Sequence, residues 1–267
     1  MDIAILKTRV LTGLIFGALI IGCITAGLWT ATALLVLVGA GCTWEYLRIV
    51  LPNRPAIRWS AVILFLCLSM MSVSFKAEPS LLYKALLIQC TVFIIMLIHL
   101  WLPFIQHEKA WFVQVFFYTM MPFLLAIGCL HHLSGETHFL LWILILIWMS
   151  DSAAYFAGSW WGKNKLFERI SPKKTWEGFM GAGFFAILTG FLLCQITDAL
   201  AFQKWLILSV LIWVLGTLGD LYESAIKRTF NIKDSGHFLP GHGGFLDRFD
   251  SFIYVLPFSL LVLFFMD

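Results

Sequence analysis

The sequence predicts an all-α, polytopic integral membrane protein with about nine transmembrane helices and a cytoplasmic N-terminus. Three observations predict it. Hydrophobic residues make up 61% of the 267-residue chain and charged residues only 12%, about half the roughly 25% of an ordinary soluble domain. A mean hydropathy of +0.91 leaves too little polar surface to wrap a soluble core, and the same figures exclude disorder, collagen and coiled coil. The lysines and arginines, finally, gather on one side of the apolar segments, as the positive-inside bias requires.

Nine segments of spanning length can be drawn, at 10–27, 29–50, 59–75, 81–102, 111–132, 139–160, 178–198, 204–226 and 251–266. Residues 10–44 carry no charge, which is too long for one ordinary span, so a hairpin near Gly27 divides them. Lys7 and Arg9 resemble the basic start of a signal peptide. The apolar run continues into a second span without a clear small-residue cleavage site, so it reads as structure. A polar joint from Leu51 to Trp59 precedes the third segment. The fifth ends near His131, His132 and His138, which form a predicted outer loop and lack a carboxylate at ligand spacing. With the N-terminus inside, 15 of the 18 Lys and Arg lie on the inner side, leaving Lys76, Lys84 and Lys204 outside. An odd number of spans then places Asp267 outside. A seven-span arrangement would need two of the segments to be re-entrant. The six cysteines lie singly in apolar stretches and read as small core residues, not as a disulfide or zinc framework.

The chain divides by character into an N-terminal multi-span region, 1–140, and a C-terminal region, 141–267, that holds the chemistry. Four polar blocks lie in the second region. Asp151, in Ser150-Asp151-Ser152-Ala153-Ala154-Tyr155, is a carboxylate within a span, which is costly unless paired or wet and so points to function. The flanking serines suit close helix packing. In Ser171-Pro172-Lys173-Lys174-Thr175-Trp176-Glu177-Gly178, Pro172 favours a turn. Two lysines, a hydroxyl and a helix start then make a phosphate cradle, although lysines on an inner loop also arise from topology alone. Gly178, Gly181 and Gly183 do not form a P-loop and read as packing glycines.

The third block, Gly219-Asp220 to Lys227-Arg228, sets Asp220, Glu223, Ser224 and Lys227 at i, i+3, i+4 and i+7, on one helical face. That face either binds something or is an ion-paired stripe against another helix. The fourth runs from Lys233 to Asp250. Its Pro240, Gly241, Gly243 and Gly244 let backbone approach a ligand and present N–H groups. Asp247 and Asp250 face one way if the last helix begins near Phe245. Paired carboxylates beside such a turn suit a magnesium ion that substrate phosphates also hold.

Ser224-Ala225-Ile226-Lys227-Arg228, Lys233-Asp234-Ser235-Gly236 and Leu239-Pro240-Gly241-His242-Gly243-Gly244-Phe245-Leu246-Asp247-Arg248-Phe249-Asp250 together resemble the signature of the phosphatidate cytidylyltransferase (CDP-diacylglycerol synthase) family. The resemblance continues through Asp151 to Gly158, Ser171 to Gly178 and Gly219-Asp220, and so covers about residues 145–255. It implies transfer of a cytidylyl group from CTP to phosphatidate, giving CDP-diacylglycerol and pyrophosphate. It also implies Mg2+ with a second cation, a multi-pass cell-membrane location and often a homodimer.

On that basis Asp220 and Asp247 are expected to hold metal first, with Asp151 and Asp250 as further ligands or supporting acids. Lys173, Lys174, Lys227, Arg228 and Arg248 are expected to bind substrate phosphates, and His242, Gly243 and Gly244 to approach the triphosphate. Asp220, Asp247, Lys174 and Lys227 are the expected catalytic group, at a site facing the cytoplasm. Glu223 is expected to orient a lysine instead of binding metal. Two other readings compete with it: a cytidylyltransferase for another lipid phosphate, and an ion-coupled transporter. A transporter should carry its acids near mid-membrane on broken helices in matching halves, and no such repeat is visible. Nucleic-acid binding is not expected, because topology and anionic substrates account for the basic residues.

Overall fold

A computed structural model describes residues 3–74, 78–101, 111–134, 137–236, 238 and 243–265. Helices α1 (Ile3–Thr25), α2 (Leu28–Val50), α3 (Pro55–Ser74) and α4 (Pro79–Trp101) are followed by a fifth, composite span from Trp111 to Leu133. Then come α7 (His138–Trp161), the hairpin β1 (Lys165–Phe167) and β2 (Ser171–Thr175), and helices α8 (Trp176–Ile196), α9 (Phe202–Thr229) and α10 (Leu246–Phe265). Eight of these helical stretches are long and apolar enough to cross a membrane, and α1 contributes a shorter apolar stretch, Thr12–Thr25. Each of the nine expected segments therefore falls on a helix.

The hairpin expected near Gly27 is present, and Gly27 takes φ 135°, a value that L side chains rarely adopt. Two helices begin well ahead of their apolar cores. α3 starts at Pro55, a residue suited to a first helical turn, and α10 starts at Leu246, which brings Asp247, Arg248 and Asp250 into the helix. Hydropathy alone misses both starts, because each first turn carries charge, Arg58 in α3 and Asp247 and Arg248 in α10; the start near Phe245 that brings Asp247 into the last helix is met to within one residue.

The fifth span is not one regular helix. Short α-helices α5 (Trp111–Gln114) and α6 (Met121–Cys129) alternate with π-helical turns at Val115–Met120 and Leu130–Ser134. A π turn inserts an extra residue and re-aims the side chains around it. Here it sets Tyr118 against Tyr46, Phe93, Tyr222 and Tyr254, and Gln89 Nε2 donates to the Phe117 carbonyl inside the widened turn. The second π turn draws His131 and His132 into the bundle, where they bond Thr32 Oγ1 and the Ser72 carbonyl. These two histidines thus pack between spans and do not form the wet outer loop that their sequence suggests.

Helix α10 runs through the middle of the bundle. Ile253, Tyr254, Val255 and Leu256 are all fully buried, so every face of its centre meets protein, with α9 as its most extensive neighbour and α4 and α6 on other sides. α7, α8 and α9 pack in sequence order. α3 and α8 stand at the periphery, with Ile63, Met70, Met71, Phe184 and Phe191 exposed as lipid-facing surface. The short antiparallel hairpin adds strand to an otherwise helical chain. The loop and turn expected around Pro172 is instead β2, which runs directly into α8.

Candidate active site

Four elements bring carboxylates and a lysine together. α7 supplies Asp151, β2 supplies Lys174, α9 supplies Asp220 and α10 supplies Asp250; the charged neighbours of Asp250 include Asp220, Asp151 and Lys174, and the buried Glu223 lies near it as well. Lys174 Nζ lies 2.7 Å from Asp220 Oδ2 and donates to the Thr217 carbonyl at 3.4 Å. Ser224 Oγ donates to Asp220 Oδ1 at 3.2 Å. Asp250 Oδ1 accepts from the Ser251 amide at 2.7 Å. Arg248 is exposed and contributes positive charge near Asp151.

Local sequence explains each placement. In β2 Pro172 and Lys173 are exposed, whereas Lys174 and Thr175, next to the start of α8, turn inward. The hairpin is held by Glu177, whose carboxylate accepts from the amides of Lys163 and Asn164 and from Asn164 Nδ2. Thr175 caps α8 by accepting from the Gly178 amide. α9 meets α10 at Gly219, where any added Cβ would lie 2.7 Å from the Tyr254 Cβ and 2.9 Å from the Asp250 carbonyl. Gly219 is therefore what allows Asp220 and Asp250 to approach. Asp220 stands nine residues before the end of α9, roughly 14 Å along the axis. The cluster is thus recessed within the helices.

Asp247 belongs to a second centre. Its Oδ1 accepts from Lys227 Nζ at 2.6 Å. Its Oδ2 accepts from the amides of Ser235 and Gly244 and lies near Ser235 Oγ, each at 2.9 Å; the single Ser235 hydroxyl proton is left for Glu45. Lys227 also pairs with the buried Glu223. The stripe Asp220-Glu223-Ser224-Lys227 is therefore divided: Asp220 and Ser224 join the acidic cluster, whereas Glu223 and Lys227 form an ion-paired contact with α10. Asp247 and Asp250 do not face one way, because Asp247 turns back onto the loop before α10. The expected first pair, Asp220 with Asp247, is thus placed in two neighbouring centres.

Gly243 has φ 84° and lies over the Asp247 carboxylate, and Gly244 donates to it. Arg228 donates to the Ile232 carbonyl at 2.9 Å and thereby ends α9. His242 lies outside the described residues. Glu45, on α2 in the N-terminal region, joins the second centre. It is buried and accepts from Ser235 Oγ and the Leu246 amide, each at 2.9 Å, while Arg48 donates to the Ser235 carbonyl. The sequence does carry a signal for it, since Glu45 is the first charge after the uncharged residues 10–44 and lies within a span. An acid in that position is costly unless partnered.

Three carboxylates with one close lysine are an oxygen donor set of excess negative charge, the kind that a hard divalent cation such as Mg2+ prefers. Among the described residues, no group of three or more His, Cys, Asp or Glu side chains stands close enough together to hold a metal ion as placed. The donor chemistry fits, with Asp220, Asp250 and Asp151 as the oxygens.

A family model described as "Cytidylyltransferase family" matches residues 7–266. A Bacillus subtilis protein named phosphatidate cytidylyltransferase is 32% identical over 97% of this chain and 97% of its own length. Staphylococcus aureus and Staphylococcus saprophyticus proteins of the same name are each 43% identical over 49% of the chain. In those two alignments the chain spans about half the length of the relative.

Proposed function

The chain belongs to the cytidylyltransferase family, and we propose that it transfers the cytidylyl group of CTP to phosphatidate, releasing pyrophosphate. The observation that carries this reading is the convergence of Asp151, Lys174, Asp220 and Asp250 from four separate elements, recessed among spanning helices. Such a site can meet one anionic substrate from water and another from the bilayer. It faces the cytoplasm in this reading, because the hairpin Lys165–Thr175 and the segment at Lys233 lie in the inner, lysine-rich loops.

The nucleophile is a phosphatidate phosphate oxygen, which is already ionised and needs no strong base. Its bond to the α-phosphorus of CTP forms as the bond from that phosphorus to the bridging oxygen breaks, and pyrophosphate departs with the electron pair. The barrier lies in bringing anions together in line and in stabilising the leaving group. Lys174 serves as the mobile cation of the site: its ammonium, paired with Asp220, can shift to a substrate phosphate. The segment that carries Gly243 and Gly244 lies alongside the triphosphate, with the Gly244 amide itself already engaged by Asp247. Lys227 and Glu223 fix Asp247, and Asp247 fixes the glycine-rich segment, so this centre shapes the nucleotide side of the site. Mg2+ held by Asp220, Asp250 and Asp151 would neutralise phosphate charge and align the two substrates. A second cation and a homodimer belong to the same proposal and rest on the family resemblance.

Purified protein given CTP, Mg2+ and a panel of lipid phosphates tests the substrate assignment. Turnover should be highest with phosphatidate. Equal or higher turnover with an ether-linked isoprenoid phosphate would overturn that assignment while leaving the cytidylyl chemistry intact.

A further inference from the structure

We propose that Glu45 is a positioning residue for the nucleotidyl transfer: from α2 it clamps both ends of the glycine-rich segment between Ser235 and Leu246. The inference rests on that segment receiving the triphosphate. Two hydrogen bonds reach one oxygen of Glu45 from opposite ends of the segment. Ser235 Oγ donates at the near end and the Leu246 amide at the far end, each at 2.9 Å. The carboxylate also fills the space beside two glycines, one at each end. A Cβ added to Gly236 or to Gly244 would collide with the Glu45 carboxylate, so both glycines are needed for it to enter. Asp247 Oδ2 meets the same Ser235 hydroxyl at 2.9 Å. Ser235 therefore lies between two carboxylates, one from each half of the chain.

The arrangement resembles a staple. Ten residues lie between the serine and the leucine in sequence, yet a single carboxyl oxygen binds both. A segment rich in glycine has high conformational entropy when free, and fixing its ends reduces what ordering it around a triphosphate would cost. Glu45 is 5% exposed, so its bonds are sheltered from competing water. Their loss would leave the Leu246 amide without its acceptor. Glu45 touches no reacting atom in this account; it acts through the segment.

The test measures steady-state kinetics against CTP and against phosphatidate for Glu45→Ala, Glu45→Gln and a stability reference, Val38→Ala, which truncates another buried side chain of α2. Gln can place its carbonyl oxygen where Oε2 stands and so keep both bonds. We expect Glu45→Ala to raise KM for CTP on the order of tenfold, with a much smaller change in KM for phosphatidate. Glu45→Gln should restore the wild-type value to within about threefold. Val38→Ala should lower thermal stability without moving KM for CTP. Should Glu45→Ala fail to yield folded protein, the comparison of Glu45→Gln with Glu45→Asp, whose shorter reach breaks the clamp, carries the same expectation. Unchanged KM for CTP in Glu45→Ala, or an equal rise in Val38→Ala, overturns the role of Glu45. Gly243→Ala separates this from the underlying reading. If it raises KM for CTP while Glu45→Ala does not, only the staple fails. If neither does, the placement of the triphosphate at this segment fails as well.

Discussion

The two lysines at 173 and 174 differ by one position and by everything that matters to the site. Lys174 turns to Asp220, whereas Lys173 stays exposed. Lys174→Gln removes a charge-assisted hydrogen bond worth about 1.5–3 kcal/mol, or roughly 10- to 150-fold in rate or affinity. Lys173→Gln should stay within about threefold of wild type, with expression unchanged in both. Equal impairment of the two at subsaturating substrate would contradict the inward turn. The aspartates separate in the same way. Asp220→Asn should abolish most turnover while leaving thermal stability in detergent close to wild type, since it relieves repulsion among three acids. Asp247→Asn should lower stability as well, because Asp247 satisfies Lys227, Ser235 and Gly244 at once. Melting curves paired with turnover decide this, and a stable Asp247→Asn protein would contradict an anchoring role. Sequence spacing alone could not separate the four aspartates, because it reports which residues share a helix face and not which neighbouring element reaches them.

The element on which the site depends most is the hairpin Lys165–Thr175. It is small, and Glu177 holds it through three donors, the amides of Lys163 and Asn164 and Asn164 Nδ2. Glu177→Ala should therefore speed amide hydrogen exchange across residues 163–175 and lower turnover in proportion, without exposing the buried centre of α10. Unchanged exchange would show that β1 and β2 pair without help. By composition the hairpin reads as a loop, because Pro172 and two lysines disfavour a strand; a two-stranded ribbon, in which both strands are edges, tolerates them. The π turns in the fifth span were equally invisible. They answer to tertiary packing around Tyr118, and nothing in an apolar run announces them. The helices themselves were legible because lipid demands length and apolarity, and those are written directly in the sequence.

At the scale of the whole molecule, the division at residue 140 describes composition better than it describes the site. Most of the polar residues were legible as blocks in the second region, yet Glu45 and Arg48 of α2 reach the segment that precedes α10. A long-range contact of this kind, joining residues about 190 positions apart, leaves no local pattern. The proposed orientation rests on the basic residues, and it predicts that single cysteines placed near Lys173 and at Phe238 react with a membrane-impermeant probe only from the cytosolic side. Reaction from the outside at either position would contradict the inward-facing site. The central claim, that this recessed cluster carries out cytidylyl transfer, is tested most directly by following two labels in parallel through the purified protein with phosphatidate and Mg2+. Label in the α-phosphate of CTP should appear in the lipid phase and label in the γ-phosphate in pyrophosphate, with both transfers lost in Asp220→Asn. α-Phosphate label that never enters lipid, or that enters it equally well in Asp220→Asn, would contradict the account.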